Sequence, residues 1–230
     1  MRSISYLAIY SKFMRNSTLN FEWMLALKNF DFTKEIILEN ERVLLRPLQL
    51  SDSSLLAHYV NEEPDLWQYS LAAITNTKDL EKYIQAAIEA RGNKSAYAFI
   101  VFDKLLDAYV GCTRFYDIQL NFQTTQIGYT WYSKKCWGTK LNENCKYLLL
   151  QFAFDQMGFE RVEFRADNNN KRSIAAMQKI GCTIEGVLRN HLPMPNGKRR
   201  DSIVLSILKE EWNTSLKQAL AAQLKAPLKK

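Results

Sequence analysis

Between Gln126 and Ile180 the chain runs twice through one succession: a strand-like segment, a polar loop, then an amphipathic helix. Residues 126–132 form the first strand. Leu141, Cys145, Leu148 and Phe152 then share one face of a long helix, with Gly158 as its left-handed end. Residues 161–166 alternate Val162, Phe164 and Ala166 against Arg161, Glu163 and Arg165, the period of a half-buried strand, and Ile174, Met177 and Ile180 mark a second helix closed by Gly181. Two successive junctions of this kind set two helix N-termini along the same edge of a sheet, where ligands of α/β proteins bind.

The rest of the chain supplies the sheet around this unit. Val43–Pro47 reads as a strand ended by proline, and Ser51 and Asp52 offer N-cap chemistry for a helix over 53–61. Thr77 is the expected cap of a helix whose face carries Leu80, Ile84, Ala87 and Ile88, up to Arg91 and Gly92. Residues 97–102, 109–116 and 126–132 predict an antiparallel meander broken by Asp103-Lys104 and a polar loop over 117–125. Strands over 183–188 and 200–208 flank a Pro193–Gly197 turn, and 209–224 is expected to be a helix before Pro227. The expected fold is α/β (α+β), a single domain with a central, mixed but mostly antiparallel sheet of about seven strands flanked by helices. We place the domain at 36–208, between an N-terminal extension over 1–35 and a C-terminal helix and basic tail over 209–230. Met24 is a natural alternative start, with 1–23 as a flexible arm or upstream extension.

Composition narrows the function. With 230 residues, 47% hydrophobic and 24% charged, the chain can bury a real core. Its apolar run over 147–154 is interrupted by Gln151 and stopped by Asp155, short of a membrane span. Thirty-one Lys and Arg against 24 Asp and Glu give a net charge of +7, which suits nucleic acid, an anionic surface or a phosphate-bearing ligand. The basic residues fall at the termini and in short clusters without a stripe of interleaved aromatics, which argues against nucleic acid. Cys112, Cys136, Cys145 and Cys182 are widely spaced, with no CxxC and only His58 and His191 beside them, so no metal site or disulfide framework is expected. Reduced thiols and a cytoplasmic location follow.

The first loop, from Ser133 to Lys140, holds three lysines and Gly138 ahead of a helix start, whose free N–H groups suit a phosphate. An ordinary basic turn fits this stretch equally well. Cys136 lies beside that helix start, whose dipole would lower its pKa, but it has no partner base in the sequence. In the second loop, Asn168 and Asn169 read as N-cap residues, whereas Asn170 and Ser173 stand one turn apart on the same helix face.

From Ile36 to Leu208 these pieces, in this order, resemble the GCN5-related N-acetyltransferase (GNAT) superfamily, and within it the branch that acetylates the N-termini of ribosomal proteins (RimJ/RimL-type). The resemblance is carried by Val43–Pro47, Gly111-Cys112-Thr113-Arg114-Phe115-Tyr116, Ile127-Gly128-Tyr129-Thr130-Trp131, Trp137-Gly138-Thr139, the Asp167, Asn170 and Ser173 pattern, Gly181 to Arg189, and Arg200-Asp201-Ser202. It implies acetyl-CoA as donor, with coenzyme A released, and a primary amine as acceptor, either a protein N-terminus or a small molecule. A homodimer is compatible with it.

By the same resemblance, Tyr129, Thr130, Trp131 and Tyr132 lie along the pantetheine arm, and Lys135, Cys136, Trp137, Gly138, Thr139, Lys140 and Leu141 form the pyrophosphate loop. Asn170 holds the cofactor's amides and Ser173 protonates the departing thiolate. Two positions depart from the family pattern. Lys140 stands where glycine or alanine is usual, so its Cβ could obstruct the phosphate or its ammonium contact it. Gln126 stands where many relatives carry a glutamate base. Glu143, Glu163 and His191 are the substitutes in view, unless the amine arrives largely neutral, as an α-amino group with a pKa of about 8 does more readily than a lysine at about 10.4. These departures motivate an alternative, a non-catalytic acyl-CoA-binding module.

Overall fold

A computed structural model of the chain describes residues 30–227; the expectations for Met24 and for residues 1–29 lie outside the described residues. One eight-stranded sheet runs in the order β1-β2-β3-β4-β5-β6-β8-β7. Its strands are β1 (Leu38–Glu39), β2 (Val43–Pro47), β3 (Ala96–Asp103), β4 (Ala108–Gln119), β5 (Thr124–Tyr132), β6 (Arg161–Asp167), β7 (Thr183–Pro193) and β8 (Arg199–Leu208). The two-residue β1 is the strand beyond the seven expected. The helices are α1 (Ser53–Glu62), α2 (Thr77–Gly92), α3 (Leu141–Gln151), α4 (Lys171–Lys179), α5 (Lys209–Glu211) and α6 (Lys217–Lys225). No helix among the described residues is long and apolar enough to cross a membrane.

Strand β3 shows how the layers form. Tyr97, Phe99 and Val101 enter a core with Phe115, Leu149 and Phe152, while Ala98 and Ile100 enter a second core with Leu56, Leu80 and Ile84. Alternate residues of a strand point to opposite faces, so a strand buried on both reads as an unbroken apolar run. Helices α1 and α2 cover one face and α3 the other. The C-terminal helix belongs to the second of these layers: Trp212 and Leu220 are buried in the same core as Phe154, and Trp212 Nε1 donates to Asp155 Oδ1 at 3.0 Å.

Three local expectations are corrected. Asp52 does not cap α1 through its side chain; its carboxylate is buried and takes two guanidinium hydrogen bonds from Arg46, at 2.7 and 3.0 Å. A charge with a bidentate partner is worth more than a cap. Asn76, not Thr77, caps α2, its Oδ1 accepting from the Asp79 amide at 3.1 Å. The polar stretch 117–125 is mostly strand, because β4 and β5 extend past the apolar run and meet at a short 3₁₀ turn over Leu120–Phe122.

Strands β5 and β6, the pair joined through α3, are the parallel neighbours of the sheet. They pair only at Thr124 with Arg161, Thr125 with Val162, and Gln126 with Glu163. Both strands run on, but apart.

Candidate active site

Beyond Gln126 the β6-facing edge of residues 127–132 has no strand partner among the described residues. The opposite edge of β5 stays paired to β4 but carries a bulge: Arg114 faces Gly128 and Cys112 faces Trp131, so Thr113 is set against both Tyr129 and Thr130. Tyr129 takes the left-handed φ of 49°, which a bulky residue adopts only where surroundings impose it. Its carbonyl accepts from Tyr83 Oη at 3.2 Å, and the Arg114 guanidinium lies 4.2 Å from its ring. The splay opens a cleft of about 1090 Å³, lined by β5, β6 and the starts of α3 and α4.

At the first junction, Glu63 fastens the loop: its carboxylate accepts from Ser133 Oγ at 2.7 Å and from the Lys134 amide at 2.6 Å. Gly138 has a φ of 75°, and apart from its chain neighbours no described residue lies within 4 Å of where a Cβ would stand. Helix α3 then begins without a side-chain cap, on Lys140 at a φ of 66°. The loop lysines divide in their roles. Lys134 pairs with Asp65 at 3.0 Å, and Lys140 donates to the carbonyls of Gln223, at 2.6 Å, and Ala226, closing the end of α6. The basic character of the loop thus serves partly to hold other elements in place.

The thiol of Cys136 corrects the expectation of a lowered pKa. It is buried, 3.8 Å from Asp103 Oδ2, and burial followed by that carboxylate pushes it up to about 12. Loss of water and an adjacent negative charge outweigh the helix start. All four cysteines are buried and free, and no metal-ligand cluster is found among the described residues.

At the second junction the helix is closed by its own side chain. Asn170 Oδ1 accepts from the Ser173 amide at 3.1 Å, and Asp167 Oδ1 from the Asn169 amide at 2.8 Å. Arg172 lays its guanidinium 3.3 Å from the centroid of Trp137, joining the two junctions across the cleft mouth.

The closed end of the splay holds Gln126, 6% exposed. Its amide nitrogen donates to Asp117 Oδ2 at 2.8 Å, while its Oε1 is buried without a hydrogen-bond partner among the described residues. Asp117, at a φ of 48°, also lines the cleft and was not foreseen. The register of the β4–β5 hairpin, Tyr116 opposite Gln126, is what brings it there.

Of the residues singled out in the sequence, Gln126, Tyr129, Thr130, Trp131, Tyr132, Cys136, Trp137, Gly138, Asn170 and Ser173 line this cleft. Glu143 also lines it but is paired with Lys179. Lys135, Thr139, Lys140 and Leu141 belong to the loop and helix start without reaching the lining. Glu163 is held between Arg161 and Arg165, at 3.0 and 2.6 Å. His191 stands apart from the lining, its Nδ1 3.0 Å from Ser202 Oγ, with burial and then Arg165, Arg200 and Arg199 lowering its pKa.

Comparison with known proteins places this geometry. Residues 42–183 match the model of the Acetyltransferase (GNAT) domain. A putative ribosomal N-acetyltransferase of Bacillus subtilis, YdaF, is 25% identical over 75% of this chain and 94% of its own length. The crystal structure of a putative acetyltransferase from T. thermophilus superposes with a TM-score of 0.74 at 28% identity, covering 82% of this chain and 96% of that one. The microcin C7 self-immunity acetyltransferase MccE, solved in complex with acetyl-CoA and AMP, shares the fold at a TM-score of 0.66 and 23% identity, over 74% and 93% of the two chains.

Proposed function

This chain belongs to the GNAT acetyltransferase family, and on that premise we propose that it moves an acetyl group from acetyl-CoA to a primary amine, a protein N-terminus or a small-molecule amine, by direct attack. The observation that carries the reading is the splay of β5 from β6 at Gln126, which opens an unpaired strand edge between two helix starts. Two features fit the donor to this cleft: residues 127–132 keep backbone groups without a strand partner, and α3 begins without a side-chain cap. The first suits the amides of a pantetheine arm, and the second a pyrophosphate. When bound, acetyl-CoA supplies an acyl group already activated as a thioester.

The chain's residues then divide the work. The open edge of β5 aligns the donor, and its N–H groups stabilise negative charge on the carbonyl oxygen. Gln126 Oε1, buried without a partner, accepts a hydrogen bond from the incoming amine. Gln126 cannot take a proton at neutral pH, but the Asp117 carboxylate that holds its amide is placed to draw an ammonium to the rim and receive its proton. The Asn170 amide nitrogen remains a donor after its oxygen has capped α4, and the Ser173 hydroxyl hydrogen-bonds the departing sulfur. An amine that is partly neutral at pH 7, such as a protein N-terminus, suits a site whose carboxylate lies at its rim.

Calorimetric titration with acetyl-CoA, followed by release of free thiol against a panel of amines, tests this reading. We expect binding and thiol release, faster with N-terminal peptides than with lysine-type amines. Binding without release for any amine would favour the non-catalytic acyl-CoA module.

A further inference from the structure

Lys146, on α3, is only 4% exposed, yet it lines the cleft. Its ammonium donates to Thr130 Oγ1 at 2.8 Å and Thr113 Oγ1 at 3.3 Å, and lies 5.9 Å from the centroid of the Phe164 ring. No carboxylate pairs with it among the described residues. The titratable groups around it are the thiols of Cys145, on its own helix, and Cys182, beyond α4, while the Glu143 carboxylate is held by Lys179. From the strands packed against it, Thr113, Thr130 and Phe164 meet the ammonium.

A buried cation without a counter-ion is costly, and a structural role here would be served as well by an apolar side chain. An ammonium has three N–H donors; two meet hydroxyls, which leaves one more on a side chain that lines the cleft. Thr130 lies on the stretch of β5 whose β6-facing edge has no strand partner among the described residues, and Phe164 lies beyond the point where β6 leaves β5. Lys146 therefore sits beneath the splay, between the uncapped start of α3 and the Gln126 end.

We propose that Lys146 delivers the proton that turns the departing thiolate into a thiol. This rests on the acetyl-transfer reading above. The amine nitrogen forms a bond to the acyl carbon, the carbon–sulfur bond breaks with its electron pair going to sulfur, and a proton passes from Lys146 Nζ to that sulfur. Lys146 is left neutral. The surplus proton of the amine leaves by Asp117 to solvent, from which Lys146 is recharged before the next turnover. Burial brings the Lys146 ammonium down to about 8, near the value of about 8.5 for an ordinary thiol, so the proton moves almost without cost. A serine hydroxyl offers no such match, and Ser173 orients the sulfur instead.

The experiment titrates the thiol of bound coenzyme A, through the ultraviolet absorbance of its thiolate, on the unmodified enzyme, K146M and K146R. The bound thiol is expected to titrate about one unit or more below the free coenzyme on the unmodified enzyme and on K146R, and at or above it on K146M. K146R is also expected to lose tenfold or more in turnover with an N-terminal peptide, because a guanidinium keeps its proton. K146M replaces a lone buried charge by an apolar chain of similar length and should unfold thermally no earlier than the parent. Identical thiol titration in K146M and the parent overturns the proposal. So does full turnover in K146R, which decides the matter even where K146M fails to fold. Mass addition of an acetyl group to Lys146 with acetyl-CoA alone would make it an acceptor and overturn the donor role. Absence of any coenzyme binding by the unmodified enzyme strikes the acetyl-transfer reading itself, and the proposal with it.

Discussion

The two helix starts that face the cleft look alike in the sequence and differ in what they leave free. Helix α4 is closed by Asn170, whose side chain takes the Ser173 amide. Helix α3 has no such cap; it follows a left-handed lysine whose side chain turns away to α6. A helix start carries about four N–H groups with no partner inside the helix, and a capping side chain consumes the best placed of them. The first junction thus leaves its donors uncapped, as the proposed phosphate site requires, whereas the second spends one on rigidity and offers side chains instead. On the proposed reading, one fold position, repeated, yields a phosphate seat and a platform for chemistry.

The sharpest way to break this contrast is at Gly138. Apart from its chain neighbours, a Cβ there meets no described residue within 4 Å, so valine would not clash, but at a φ of 75° it is strained by about 1–2 kcal/mol and occupies the space left beside the helix start. G138V is expected to weaken acetyl-CoA binding by tenfold or more in calorimetry while the fold persists. Unchanged affinity would move the phosphate seat elsewhere. The second junction should respond in the opposite manner. S173A is expected to lower kcat by about tenfold, the worth of one hydrogen bond to a charged sulfur at about 1.5 kcal/mol, with the acetyl-CoA Kd held within about twofold. Equal losses in both would make Ser173 a binding residue.

Much of this division was legible in the residues and some was not, for identifiable reasons. Polar loops ahead of amphipathic helices mark both junctions, and the alternation of Val162, Phe164 and Ala166 marks β6. Tyr129 in a left-handed bulge was invisible, because a tyrosine in a strand-like run has no local reason to leave the extended region; the Arg114 and Tyr83 contacts impose it. Asp117 reads as loop polarity until the β4–β5 register places it beside Gln126. Lys146 falls next to Cys145 on a helix whose pattern counts a lysine as solvent-facing, and only the gap between β5 and β6 turns that position into the floor of a cleft. Cys136 is the reverse case: its place beside a helix start points to a lowered pKa, and burial next to Asp103 raises it instead.

A gentler test separates the cap from the site. N170A removes the acceptor for the Ser173 amide and should cost about 1 kcal/mol of stability, read in chemical denaturation, through α4 alone. N170D restores an acceptor and should recover that stability, but it cannot donate to a cofactor carbonyl, so acetyl-CoA affinity should fall in both variants. Recovery of affinity in N170D would reduce Asn170 to a cap.

The smallest expected effect on the ligand is at Lys140, and its smallness is the point. In the family pattern this position is glycine or alanine, and a lysine here invites the reading of an extra phosphate contact. Its ammonium is already bonded to the carbonyls of Gln223 and Ala226 at the end of α6, where a cation also meets the negative end of the helix dipole. Its backbone holds a φ of 66°, which glycine adopts without strain. K140G therefore relieves about 1 kcal/mol or more of backbone strain at the start of α3 while releasing the end of α6. Acetyl-CoA affinity should stay within about twofold of the parent, and hydrogen exchange over residues 217–225 should quicken. A loss of affinity of tenfold or more, with exchange in that helix unchanged, would show that the lysine serves the phosphate after all, and that the first junction recruits side-chain charge as well as free N–H groups.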